Sequence, residues 1–316
     1  MKTQYKILWI EDNIHNVRGY KNDLERYLDE HEIKLEIVDI EVTQDEDPTE
    51  QQKFKDTVED IDLDMVFIDY NMSTKGNKII NFIRKDLHHY LPILFYTSLD
   101  NAQEELQRSI LQINKSEDRA DKIADGIYYC DREHISEKAR LILNSLLKKE
   151  SRPQQTRGLL MDRVSEIDAN LTECLKRLWE QVPLDKQALV KKELNDRIDS
   201  AVTKNSKLLK KLENLSWDEV ANFIEENKKE IGTFSKAKVL REILRLIDIY
   251  EENGVILSKF YNGTDQEMSL NDLRNKYAHE TEKVLIGSHN EELCKYIRKN
   301  SRDQLDNLNF LLSKNN

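Results

Sequence analysis

Two sets of residues in this 316-residue chain have the types and spacing to do chemistry. The first is acidic. Glu11 and Asp12 in WIEDN, and Asp69 in FIDYNM, each close an apolar run, and Thr97 and Ser98 close another in FYTS. Carboxylates crowded together repel one another, and a hard divalent cation such as Mg²⁺ relieves the repulsion through oxygen ligands. A carboxylate held in such a site can act as a nucleophile on a phosphoryl group, with a hydroxyl nearby to hydrogen-bond the transferred oxygens. The second set lies in LRNKYAHE (273–280), which places Arg274, Asn275 and His279 within six residues. An imidazole moves protons near neutral pH, and a guanidinium forks onto phosphate oxygens as negative charge builds. Without carboxylate metal ligands, that pair suits cleavage of RNA by its own 2′-hydroxyl, a reaction to which DNA is inert.

These residues need particular elements to hold them. Residues four apart share a helix face, so Asn275 can orient His279. Arg274 lies five before His279, about 140° around a regular helix. The two converge if the helix is irregular or if a second subunit supplies the partner group. Ala278 keeps the surroundings small. The same stretch also reads as a plain capped helix, with Ser269 or Asn271 as the cap and Arg274 and Lys276 facing water. The acidic residues need strand ends on one edge of a sheet. YKILWIED, IKLEIVDIEV, LDMVFIDY, PILFYTS and GIYYCD read as strands. Between and after them, NVRGYKNDLERYLDEHE, TEQQKFKDTVEDI, KIINFIRKDL and ISEKARLILNSLLKK read as helices. This alternation predicts a doubly wound, five-stranded parallel α/β sheet over residues 1–150, whose carboxyl edge forms the ligand crevice. The stretch 99–125 is longer than one crossover helix needs.

ESRPQQTRG (150–158) reads as a linker, because Pro153 disfavours continuing the helix before it. Beyond it, LLMDRVSEIDANLTECLKRLWEQ, DKQALVKKELNDRIDSAV, WDEVANFIEEN, KAKVLREILRLIDIYEE and CKYIRKNSRDQLDNLNFLLSK carry helical apolar stripes. Residues 151–316 are therefore expected to be an all-α helical bundle.

Charge narrows the function classes. The net charge of −11 belongs entirely to residues 1–150, and residues 151–316 balance to zero. Neither half has the basic surplus of a tight duplex-DNA binder, and KNSKLLKK (204–211) reads as a solvated helix face. The longest apolar runs fall far short of the ~20 residues that a membrane span needs. MKTQYKILWIEDN has no signal-peptide run, and the cysteines Cys130, Cys174 and Cys294 share no metal-type spacing. A reduced, cytoplasmic protein with no membrane partner is expected.

The acidic pattern resembles response-regulator receiver domains over nearly all of residues 1–150. That resemblance implies Mg²⁺ held by Glu11, Asp12, Asp69 and the backbone carbonyl of Asn71. It also implies Asp69 as phospho-acceptor, Thr97 as switch hydroxyl and a histidine kinase or other phosphodonor as partner. The chain departs from the family in three places. The strand-five lysine is replaced by Asp131 and Arg132 in GIYYCDRE, with Arg132 expected to reach the site only if the strand shifts by one. Ser73 stands where a proline is usual, and the helix before strand five is lengthened. RNKYAH, in turn, resembles the Arg-x4-His motif of the HEPN superfamily of metal-independent ribonucleases, which implies Arg274 and His279 as catalytic, Asn275 as support, a homodimer, RNA as substrate and roles in toxin or anti-phage defence.

Two readings follow. In one, the receiver-like half gates a C-terminal endoribonuclease. In the other, the protein is a non-enzymatic response regulator whose helical half dimerises and binds a protein partner. A DNA-binding output domain is a third and weaker fit, since no helix-turn-helix is evident.

Overall fold

The computed structural model describes residues 1–42, 49, 51–60, 62–69, 79–80, 82–87, 90–97, 126–201, 206–247, 250–264 and 268–314. The chain divides into two compact units, Lys2–Glu150 and Ser151–Asn316 together with Met1.

In the first unit, strands β1 (Gln4–Glu11), β2 (Lys34–Glu41), β3 (Leu63–Asp69), β4 (Ile93–Thr97) and β5 (Ile127–Asp131) form one sheet in the order β2-β1-β3-β4-β5. Each adjacent pair is parallel. This is the doubly wound order shared by flavodoxins and receiver domains. The inner strands are nearly continuous apolar runs because both their faces are covered. Alternate residues serve opposite faces. Ile7, Trp9, Met65, Phe67, Leu94 and Tyr96 pack with α1 (Arg18–Asp29) and with Ile135–Glu150, here α3. Leu8, Ile10, Val66, Ile68, Ile93 and Phe95 pack on the other side with α2 (Gln52–Val58) and with Ile79, Ile80 and Ile83. The stretch expected as a regular helix, KIINFIRKDL, is π-wound over Phe82–Asp86. The wider turn keeps Ile83 in the core while its neighbour Arg84, 2% exposed, donates to the Leu91 carbonyl at 2.8 Å. The expected long helix over 99–125 lies outside the described residues.

In the second unit the regular elements among the described residues are all helices. Its helices are α4 (Pro153–Trp179), α5 (Gln187–Ala201), α6 (Ser206–Glu213), α7 (Trp217–Glu226), α8 (Thr233–Leu246), α9 (Glu251–Ser258), α10 (Leu270–His279), α11 (Glu282–Ile286) and α12 (Glu291–Lys314). The 27-residue α4 runs through the core, burying Leu160, Val164, Ile167, Leu171, Leu175 and Leu178, the stripe evident in the sequence.

Two expectations need correction. The nine-residue linker is only Ser151 and Arg152, because Pro153 opens α4 at a position where its missing N–H costs nothing. KAKVLREILRLIDIYEE is not one helix. It leaves helical dihedrals at Ile247, and α9 begins only at Glu251. There Gly254 is buried against α8, where an added Cβ would make an ordinary contact 3.6 Å from the Leu244 Cβ.

Candidate functional site

The carboxyl edge of the sheet gathers the acidic residues. Glu11 ends β1, Asp69 ends β3 and Thr97 ends β4, and they are 0%, 1% and 1% exposed. Asp69 lies in register with Tyr96, so Thr97 stands one residue beyond it on the neighbouring strand. Asp12 follows β1 and is exposed. Ligand oxygens of Glu11, Asp12 and Asp69 all lie within 4.8 Å of one another. An all-oxygen, carboxylate-rich set of this size suits a hard cation, and these three residues would hold Mg²⁺. When bound, that ion would offset the mutual repulsion of these carboxylates. Asn71 and Ser98 lie outside the described residues.

Arg132 is the charge already in place. Its Nη2 donates to Asp69 Oδ2 at 2.5 Å and to Glu11 Oε1 at 3.0 Å. The strand has not shifted to allow this. Asp131 remains in register with Thr97, and the exposed Asp131 carboxylate turns away. The long guanidinium side chain reaches back from the residue after β5, so the condition set by the sequence reading was unnecessary. Among the described residues, Arg132 Nε is buried without a hydrogen-bond partner, which leaves a spare donor in the acidic site.

Two aromatic residues, unremarked in the sequence reading, complete the cluster. The Trp9 indole donates to the Tyr96 hydroxyl at 2.7 Å, and Tyr96 in turn donates to Glu11 Oε2. Both Glu11 oxygens are thus engaged. Burial, partly offset by the Tyr96 hydrogen bond and reinforced by Asp69, pushes the Glu11 carboxyl up to about 7. Burial and the Glu11 charge drive the Tyr96 hydroxyl far above its ordinary range, so it remains a donor. Trp9 precedes Glu11 by two residues and so shares its strand face.

The second candidate site is on α10. Ser269 is the cap, its Oγ accepting from the Asp272 N–H at 3.1 Å and donating to Asp272 Oδ2 at 2.7 Å. Leu273 and Tyr277 face the core, whereas Asn275, Ala278 and His279 are exposed and Arg274 is half-buried. Asn275 does not reach His279. Its Oδ1 accepts from Arg274 Nη1 at 3.0 Å. Among the described residues, no hydrogen bond joins Arg274 to His279. Tyr277, between them, is hydrogen-bonded to His289 Nδ1 at 2.5 Å, and the other nitrogen of that ring lies 2.5 Å from the Ser151 carbonyl.

No family model matches the chain, and no curated protein matches it. Among solved structures, full-length FixJ from B. japonicum is similar over 77% of this chain and 98% of that one, at 12% identity and a TM-score of 0.30. That likeness is too loose to carry function. No helix among the described residues is long and apolar enough to cross a membrane.

Proposed function

We infer that this protein is a signal-gated ribonuclease: a receiver-like α/β unit accepts a phosphoryl group on Asp69 and controls a metal-independent endoribonuclease in the helical unit. The observation that carries the receiving half is the buried Asp69 carboxylate held against Arg132 at the carboxyl edge of a β2-β1-β3-β4-β5 sheet. An Asp69 oxygen attacks the phosphorus of a small phosphodonor or a histidine kinase, and the donor's leaving group departs with its electron pair. Arg132, including its spare Nε, faces the transferred oxygens in the role that the family gives to lysine. Thr97 is the hydroxyl positioned to follow the change.

The helical half contributes Arg274, Asn275 and His279 on an accessible helix. His279 takes the proton of the 2′-hydroxyl as that oxygen attacks phosphorus, and a second imidazole returns a proton to the departing 5′-oxygen. Arg274, aligned by Asn275, neutralises the charge on the phosphorane oxygens. A second copy of the chain supplies the second histidine, which accords with Arg274 and His279 being unjoined within one copy. The protein would act as a cytoplasmic homodimer, and a nuclease that needs a gate fits a toxin or defence role.

The test is RNA cleavage in EDTA by the full chain beside His279→Ala. Cleavage of RNA but not DNA by the first, and of neither by the second, supports the reading. Equal activity in both proteins, or none in the wild type either untreated or after phosphodonor treatment in Mg²⁺ before EDTA is added, rejects it. The second outcome leaves a response regulator whose helical half binds a protein partner.

A further inference from the structure

One surface of the helical unit is absorbed by neither site. Phe234, Lys238 and Arg241 recur at spacings of four and three along α8, so they share a face. Phe234 is 38% exposed, an unusual position for a phenylalanine near the start of a core helix. Its ring meets that of Tyr261 at 5.6 Å between centroids and 75° between planes. Lys238 Nζ lies over both rings, 4.5 Å from the Tyr261 centroid and 5.2 Å from the Phe234 centroid.

Cations are in surplus here. Among the described residues Lys238 makes no salt bridge, and the nearby carboxylate, Glu193, is engaged by Arg197 at 2.7 Å. Burial, then the charges of Arg197 and Arg241, hold the Lys238 ammonium below its ordinary pKa. Lys238 thus sits over aromatic faces with like charges beside it and makes no ion pair of its own. An exposed ring adjoining such a cation suits a planar base followed by a phosphate. The patch also has a defined relation to the motif helix. The Asn271 N–H, in the first turn of α10, donates to the carbonyl of Phe260, the residue before Tyr261, at 3.0 Å. His279 lies at the far end of α10, about 12 Å along the helix from Asn271.

We propose that the Phe234–Lys238–Arg241 face, flanked by Tyr261 and Arg197, is a binding site for single-stranded RNA, in which Phe234 stacks a base and the cations take backbone phosphates. Its identity as a substrate-holding site rests on the ribonuclease reading; RNA binding itself does not.

The test uses the full chain carrying His279→Ala, in EDTA and low salt, with a fluorescein-labelled 12-nucleotide oligouridylate followed by anisotropy. Phe234→Ala and Lys238→Gln should each weaken binding about fivefold or more, and Phe234→Trp should restore it. Lys238→Gln should also lower the slope of log affinity against log salt by about 0.7, the loss of one single-strand phosphate contact. Lys148→Gln, the same charge change on the exposed face of α3, serves as control. Circular dichroism melts confirm that each variant folds. No binding by the parent chain, or patch variants indistinguishable from Lys148→Gln, overturns the proposal even if wild type cleaves RNA through His279. Patch-dependent binding sustains it even if His279 proves inert.

Discussion

At the residue scale, the acidic cluster is a charge problem solved within the chain. Glu11 and Asp69 are both buried, and Arg132, with its side chain 19% exposed, lies between them. Removing one partner of a buried pair leaves the others uncompensated. Arg132→Gln is therefore expected to cost about 3 kcal/mol at pH 8, read by urea denaturation. The cost should shrink towards pH 5, because Glu11 is then protonated and only Asp69 remains charged. Glu11→Gln tests the pKa directly. A folded-state value of about 7 lies above the ordinary 4.5, so the folded chain holds the proton more tightly and stability falls as pH rises through that window. In EDTA, the variant's stability relative to wild type should rise between pH 4.5 and 7; a flat difference would remove the assigned shift. Asp69→Asn should abolish Mg²⁺-dependent labelling by acetyl phosphate, read as loss of the added mass on the intact protein. The polar residues closing each apolar run were legible in the sequence. The Trp9–Tyr96–Glu11 chain was not, because aromatic residues in a buried strand look the same whether or not their polar tips find partners. Nor was Arg132's reach, which depends on side-chain length where a one-residue offset in sequence seems prohibitive.

At the element scale, the inner strands were readable because continuous apolar runs bounded by polar residues leave little choice of structure. The long stripe of α4 was equally plain. The errors arose at boundaries. Pro153 was read as a breaker, yet proline is also at home in the first turn of a helix, and only the structure distinguishes the two. The break at Ile247 interrupts a stripe that continues on both sides, so periodicity could not reveal it. On α10 the Ser269 cap fixes the start of the helix that bears Arg274 and His279. Ser269→Ala should lower stability by about 1 kcal/mol in thermal or chemical unfolding. If the helix presents the catalytic pair, RNA cleavage should fall with it under conditions where the bulk fold persists.

At the scale of the whole molecule, the sequence separated an acidic α/β half from a neutral helical half, and the structure contains a doubly wound sheet and a helical bundle accordingly. What no periodicity encodes is association. Arg274 and His279 share no hydrogen bond within one copy, and the proposed site would draw on two. Sedimentation of the full chain should show a dimer at the concentrations that support cleavage, and dilution below dimerisation should abolish activity faster than linearly.

The most direct measurement of the central claim is the RNA cleavage rate of the full chain in Mg²⁺, with and without acetyl phosphate, in wild type, Asp69→Asn and His279→Ala. In wild type the rate should change about tenfold or more with the phosphodonor; in Asp69→Asn it should be indifferent to it; and His279→Ala should show no cleavage. Cleavage that ignores the phosphodonor in wild type, or that survives loss of His279, would contradict that claim.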